Sequence, residues 1–274
     1  MTGALADLPP LRESLEAHGL LARKSFGQHF LLDLNITRKI VRLGTLPEGA
    51  TVIEVGPGPG GLTRALLEAG LKVIAVEKDA RFLPLLGELA EASEGRLTVV
   101  EADATRVDEA KLAGGAHHIV SNLPYNVGTP LLIGWLTAAE PPLSMTLMFQ
   151  KEVAERIVAD VGDDAYGRLA VVAQAVCSAR IVMDLPARAF TPPPKVASAV
   201  VRLEPLPVRP EPALLKALER VTAAAFGQRR KMLRSSLKAL GGGALCEAAG
   251  IDPDARAETI DVAGFLELAR ALRA

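Results

Sequence analysis

The chain has 274 residues, 49% of them apolar and 23% charged, with a formal net charge of −1. This is ordinary globular composition, and the length suits one large domain or a domain with a small appendage. It contains no run of eighteen or more apolar residues and no secretory signal at "MTGALADLPPLRES", so neither a membrane span nor secretion is expected.

Cys177 and Cys246 lie far apart without a CxxC partner. That argues against a disulfide framework or a structural zinc site; no metal and a reducing, cytoplasmic setting are expected. A net charge near zero does not by itself indicate a nucleic-acid partner, so the distribution of charge matters more.

In chain order, "TVIEVG" (51–56), "LKVIAVEKD" (71–79), "RLTVVEAD" (96–103), "HHIVSNL" (117–123) and "LSMTLMF" (143–149) read as buried strands. "GLTRALLEAG" and "RFLPLLGELAEAS" lie between the first three with helical spacing. Such alternation predicts an α/β fold, a Rossmann-like parallel sheet with helices on both faces. "VCSARIVMDLP" and "VASAVVRLEP", joined by "ARAFTPPPK", read as a hairpin extending that sheet. "EPLPVRPEP" (204–212) is a stiff proline-rich linker. Beyond it "ALLKALERVTAAAF", "RRKMLRSSLKAL" and "VAGFLELARAL" read as helices. The expected division is a main domain over 1–205, with an N-terminal arm to about 40, and a small helical domain over 206–274.

"EVGPGPGGLT" (54–63) follows a strand and opens a helix, and Gly56, Gly58 and Gly60 allow a tight turn that a ligand could approach closely. Such a loop is either a nucleotide site or a plain strand–helix turn. Glu77 ends the second strand, where a carboxylate can accept from ribose hydroxyls, and Asp103 ends the third. Each also reads as a surface or capping residue. The GxGxG spacing favours a ligand without a pyrophosphate, such as S-adenosylmethionine, over NAD.

Asn122-Leu123-Pro124-Tyr125 ends the fourth strand, in the same crevice. These residues form either a simple turn or a pocket for a flat, polar amine such as that of adenine. In the pocket reading, the Asn122 side chain and the carbonyl of Leu123 or Pro124 accept from the amine. Pro124 fixes the backbone, and Tyr125 stacks the base.

Together "KSFGQHFLLD" (24–33), "EVGPGPGGLT", "VEKD", "EADAT", "SNLPYN", "FTPPPKVASAVV" (190–201) and "FGQRRKMLRSSL" (226–237) make the chain resemble the ribosomal RNA adenine dimethyltransferase family from about residue 20 to 270. The resemblance implies dimethylation by S-adenosylmethionine of two adjacent adenosines near the 3′ end of small-subunit (16S) rRNA, during ribosome biogenesis. It implies cofactor contacts from His29, Leu31, Gly56, Glu77, Asp103 and Asn122, beside Gly58 of the same loop. It implies an amine pocket of Asn122, Leu123, Pro124 and Tyr125, with Phe190 as a second aromatic face for the flipped base. Members often carry Asn at the position of His29, and Thr and Asn at those of Met232 and Ser235.

The segment after residue 228 carries Arg229, Arg230, Lys231, Arg234 and Lys238 with no acid, and Arg23 and Lys24 add to the N-terminal side. On a helix 230, 234 and 238 share a face, giving either a phosphate-binding stripe or a solvated helix face. The partners expected are the rRNA and the assembling small subunit, with the protein a monomer. A large-subunit rRNA adenine methyltransferase and a non-catalytic assembly factor are the alternatives.

Overall fold

The structure is a computed structural model that describes residues 5–20, 29–228 and 230–273. Its framework is a seven-stranded sheet. The first five strands are β1 (Thr51–Val55), β2 (Lys72–Glu77), β3 (Leu97–Glu101), β4 (His118–Asn122) and β5 (Met145–Gln150). They match the five expected strands to within a few residues. With β6 (Cys177–Leu185) and β7 (Ser198–Pro205) the order is β3-β2-β1-β4-β5-β7-β6.

All four pairings among β1 to β5 are parallel, with Val52 opposite Val73 on one side of β1 and His118 on the other. The chain progresses outward from β1 to β3 in one direction and from β4 to β5 in the other. Right-handed crossovers then place helices on opposite faces. The reversal of strand order lies between β1 and β4, and ligands of such sheets sit outside the carboxyl ends of the strands at that point.

Two helices precede the sheet, α1 (Leu11–Ala17) and α2 (Leu34–Leu43). Asp33 caps α2 by accepting from the Asn35 N–H at 2.8 Å. Helices α3 (Gly61–Glu68) and α4 (Leu83–Ala92) link β1 to β2 and β2 to β3. Leu62, Leu66, Leu67 and Leu89 from these helices pack with Val52, Val73 and Ala75 of the sheet in one core cluster. The Arg64 guanidinium of α3 donates to the main-chain carbonyls of Leu5, Leu8 and Pro9, which holds the segment ahead of α1. Short helix α5 (Glu109–Ala113) lies between β3 and β4, and α6 (Gly128–Thr137), α7 (Lys151–Val158) and α8 (Arg168–Gln174) flank β5.

The chain divides into two compact units. The first comprises Met1–Leu131, Pro142–Lys151 and Ile181–Arg202. The second takes in more than the expected 206–274: it comprises Leu132–Pro141, Glu152–Arg180 and Leu203–Ala274. Its C-terminal helices are α9 (Pro212–Gly227), α10 (Leu233–Ser236), α11 (Gly242–Ala248) and α12 (Val262–Ala271). Asp261 caps α12 by accepting from the Gly264 N–H at 2.7 Å. In the core of this unit Phe226 meets Tyr166 edge-on at 6.1 Å and Phe265 at 5.4 Å. The Tyr166 hydroxyl donates to the Ile260 carbonyl at 2.9 Å. Tyr166 and Phe265 are buried in this cluster, which ties the segment around residue 166 to the C-terminal helices.

From Arg230 on, the segment "RKMLRSSLKAL" is not the continuous helix its periodicity predicts. Met232 is extended and bridges to Arg256, so the helix begins only at Leu233 and lasts four residues. Positions 230, 234 and 238 therefore do not share a helix face.

No helix among the described residues is long and apolar enough to cross a membrane.

Candidate active site

The loop after β1 turns through Gly56, Gly58 and Gly60 at φ of 63°, 54° and 82°, a region that favours glycine. Gly61 is required for a different reason, because a Cβ there would stand 2.6 Å from the Leu31 carbonyl oxygen. The same loop touches the turn after β4, since a Cβ on Gly56 would lie 3.3 Å from Pro124 Cγ. The Ser121 hydroxyl donates to the Val55 carbonyl at 2.6 Å, which ties the ends of β4 and β1 together.

These elements enclose a cavity of about 550 Å³, within the usual range for small-molecule sites. Of the residues singled out from the sequence, His29, Leu31, Gly56, Gly58, Glu77, Asn122, Leu123, Pro124 and Tyr125 line it. Glu77, at the end of β2, is 6% exposed. Its carboxylate accepts from the Gly58 N–H at 3.0 Å and the Asp79 N–H at 2.8 Å. Burial raises its carboxyl above the ordinary range despite those donors.

His29 is held by the FTPPPK segment. Its Nδ1 donates to the Pro192 carbonyl at 2.8 Å, while Phe30 and Thr191 exchange main-chain hydrogen bonds of 3.0 and 2.9 Å. Phe30 in turn meets Phe82 edge-on at 5.6 Å, a contact worth roughly 0.5–1.5 kcal/mol beyond its buried area. Across the cavity the rings of His29 and Tyr125 are 6.0 Å apart, and the Tyr125 hydroxyl lies 3.1 Å from Ser198 Oγ. The Pro124 carbonyl accepts from both the Val127 and Gly128 N–H groups at 3.1 Å, starting α6.

Two expected residues are placed elsewhere. Phe190 is 2% exposed and belongs to the core cluster with Leu31, Leu185 and Val200, not to the cavity wall. Successive residues of an extended segment point to opposite sides, and here it is the neighbouring Thr191 that pairs with Phe30. Asp103 caps a short turn over Ala104–Arg106 and forms an ion pair with Lys78 at 2.7 Å. That ammonium, with the Thr105 hydroxyl and N–H, holds the Asp103 carboxyl well below the usual carboxylate range.

Among the basic residues, Arg23, Lys24 and Arg229 lie outside the described residues. Arg230, Lys231, Arg234 and Lys238 are exposed, and Arg234 pairs with Asp254 at 2.9 Å.

One further residue of the cavity, Glu54, opens the "EVGPGPGGLT" motif but is given no site role by the sequence reading. It is 2% exposed, lines the cavity from within β1, and accepts from the Thr63 hydroxyl at 2.6 Å. Burial pushes its carboxyl up to about 8; the Thr63 hydroxyl opposes the rise and the charge of Glu77 adds to it. The signal in the sequence is a lone acid inside the otherwise apolar "TVIEV".

Known proteins match this chain along most of its length. The family described as ribosomal RNA adenine dimethylase matches residues 19–273. A protein of Caulobacter vibrioides named ribosomal RNA small subunit methyltransferase A is 74% identical over 251 residues, covering 92% of this chain and 97% of that protein. One of the same name from Rhodospirillum rubrum is 57% identical, covering 97% and 93%. Among solved structures, a dimethyladenosine transferase from Plasmodium falciparum superposes with a TM-score of 0.72 at 26% identity, over 88% of this chain and 96% of that one. The 23S rRNA methyltransferase ErmE superposes at 0.69, also at 26% identity, over 89% and 100%.

Proposed function

The chain belongs to the ribosomal RNA adenine dimethylase family, and from that premise we propose that it dimethylates the exocyclic amines of two adjacent adenosines near the 3′ end of small-subunit rRNA. The observation that carries this reading is the contact between the glycine loop and the Asn122–Tyr125 turn, which sets Glu77 and Asn122 on the wall of one cavity.

The donor set fits S-adenosylmethionine. On this reading Glu77 accepts from ribose hydroxyls, the glycine loop permits close approach, and two carboxyl groups suit a ligand of positive charge. When bound, this cofactor supplies a methyl group activated on a sulfonium. His29, Leu31, Gly56 and Gly58 shape its site. Asp103 reaches a ligand only by exchanging its bond to Lys78.

The adenine amine is a weak nucleophile because its lone pair is delocalised into the ring. Acceptors aimed at its N–H groups favour a pyramidal nitrogen, and the Asn122 side-chain oxygen supplies one. Because the Pro124 carbonyl is engaged by Val127 and Gly128, the Leu123 carbonyl is assigned as the second. Pro124 adds no competing N–H. Tyr125, its hydroxyl beside Ser198, offers a stacking face worth roughly 1–3 kcal/mol. Phe190 has no place in this pocket. Rate enhancement comes from alignment and fixed dipoles, and the proton leaves the nitrogen after transfer.

The exposed Arg230, Lys231 and Lys238 support phosphate contacts by the 206–274 region. Action in the cytoplasm, as a monomer, on the assembling small subunit completes the proposal.

The test is incubation of the protein with labelled S-adenosylmethionine and undermethylated small or large subunits, followed by mapping of the labelled nucleotides. Label on adjacent small-subunit adenosines is expected. Label in large-subunit RNA, or none anywhere, overturns the assignment.

A further inference from the structure

Glu54 and Glu77 put two carboxyl groups on one cavity wall, and their surroundings differ. Glu77 accepts from two main-chain N–H groups, whereas Glu54 is nearly fully buried and accepts from the Thr63 hydroxyl.

The cations on the elements around β1 are exposed away from Glu77 or paired with other groups. Lys72 stands exposed at the opposite end of β2 from Glu77, and Arg64 of α3 donates to Leu5, Leu8 and Pro9. Lys111 of α5 pairs with Asp108, and His118 of β4 bonds Ser144. Past the end of β2, Lys78 holds Asp103 and Arg81 holds Asp79. On the cavity wall the other titratable side chains are His29, Glu77 and Tyr125. Among these described groups none brings a full, fixed positive charge to Glu54, which leaves a cation entering the cavity as the group able to compensate an ionised carboxylate there.

We propose that Glu54 is the charge-selecting residue of this cavity: it carries a proton until a cationic ligand enters, gives that proton up to solvent on binding the sulfonium cofactor, and keeps it beside the neutral thioether product. This rests on the cofactor reading above and adds a role for Glu54 within it. The cofactor and its thioether share the adenosine, the amino group and the carboxylate, and differ by one methyl and one positive charge. An ionised Glu54 therefore favours the form that carries the charge. Once the methyl has left, the positive charge has left with it; Glu54 takes back a proton and the product is held less tightly.

Calorimetric titration of the whole protein with S-adenosylmethionine and with S-adenosylhomocysteine, in buffers of different ionisation enthalpy, tests this without a turnover assay. At neutral pH the sulfonium is expected to release about one proton more than the thioether. The ratio of the two affinities is expected to rise with pH, by at most about tenfold per unit, and to level off above about 8. Protein groups that respond alike to both ligands cancel in this ratio, and the amino groups of the free ligands, which the sulfonium charge makes unequal, are titrated separately and subtracted. Glu54→Gln is expected to abolish both the extra proton and the slope, and the measurements on the unmodified protein stand even if that variant folds poorly.

Binding of both ligands with equal proton release and a ratio independent of pH overturns the inference and leaves the cofactor assignment intact. A slope that persists in a folded Glu54→Gln protein also overturns it, since another group is then titrating. Failure of both ligands to bind overturns the cofactor assignment, and this inference with it.

Discussion

Gly56 and Pro124 face each other so closely that a Cβ on the glycine would stand 3.3 Å from Pro124 Cγ. The glycine loop and the Asn122–Tyr125 turn therefore lie directly against each other. Gly56 also has φ of 63°, which costs a side-chain-bearing residue roughly 1–2 kcal/mol. Gly56→Ala is expected to lower unfolding free energy by at least that amount and to weaken S-adenosylmethionine binding, as followed by urea denaturation and calorimetry. Unchanged stability and affinity would show that the loop and turn move independently.

Asn122 is the last residue of β4, registered opposite Met148 and next to the Ser121 hydroxyl that anchors the strand end. Its backbone is thus fixed by neighbours other than its own side chain. Asn122→Ala is expected to lower single-turnover methyl transfer on the order of 10²–10³-fold, the usual effect of removing one preorganised dipole, with RNA affinity nearly unchanged. Normal turnover in this variant removes Asn122 from the amine pocket.

Glu54 also makes stability depend on pH. Its carboxyl is raised from an ordinary 4.5 to about 8 in the folded chain. Its favourable contribution is complete below about 4.5, falls as pH rises, and is lost as pH passes through about 8. Glu54→Gln keeps the shape of the protonated group without its titration. In the cofactor-free protein, the stability of the variant relative to the parent is expected to increase from pH 5 to pH 8, by on the order of a few kcal/mol. Parallel stability curves for the two proteins would mean that Glu54 is ionised throughout.

The basic segment makes unequal predictions for its members. Arg234 already pairs with Asp254, whereas Arg230, Lys231 and Lys238 extend exposed cationic side chains. Replacing Arg230, Lys231 and Lys238 by Ala is expected to weaken RNA binding and to lower the salt slope by about one for each phosphate that is no longer neutralised. Arg234→Ala alone is expected to change the slope less. Equal slopes for the parent and the triple variant would place the RNA elsewhere.

The strand–helix alternation, the glycine loop and the position of the Asn122–Tyr125 turn were legible in the sequence because each depends on neighbours a few residues away. Periodicity sets which side chains face the sheet, and glycine spacing sets where the chain turns left-handed. The parallel order of β1 to β5 followed from the same alternation, since connections through helices require it. Where local pattern met a distant partner, the tertiary structure decided. Phe190 went into the core because Thr191 pairs with Phe30, and Asp103 turned to Lys78. The segment from Arg230 to Met232 stays out of the helix, with Met232 bridged to Arg256. The Glu54 carboxyl is pushed up because β1 lies inside the sheet between β2 and β4, with Thr63 of α3 against it, and desolvation is a property of everything packed around a group rather than of its sequence neighbours.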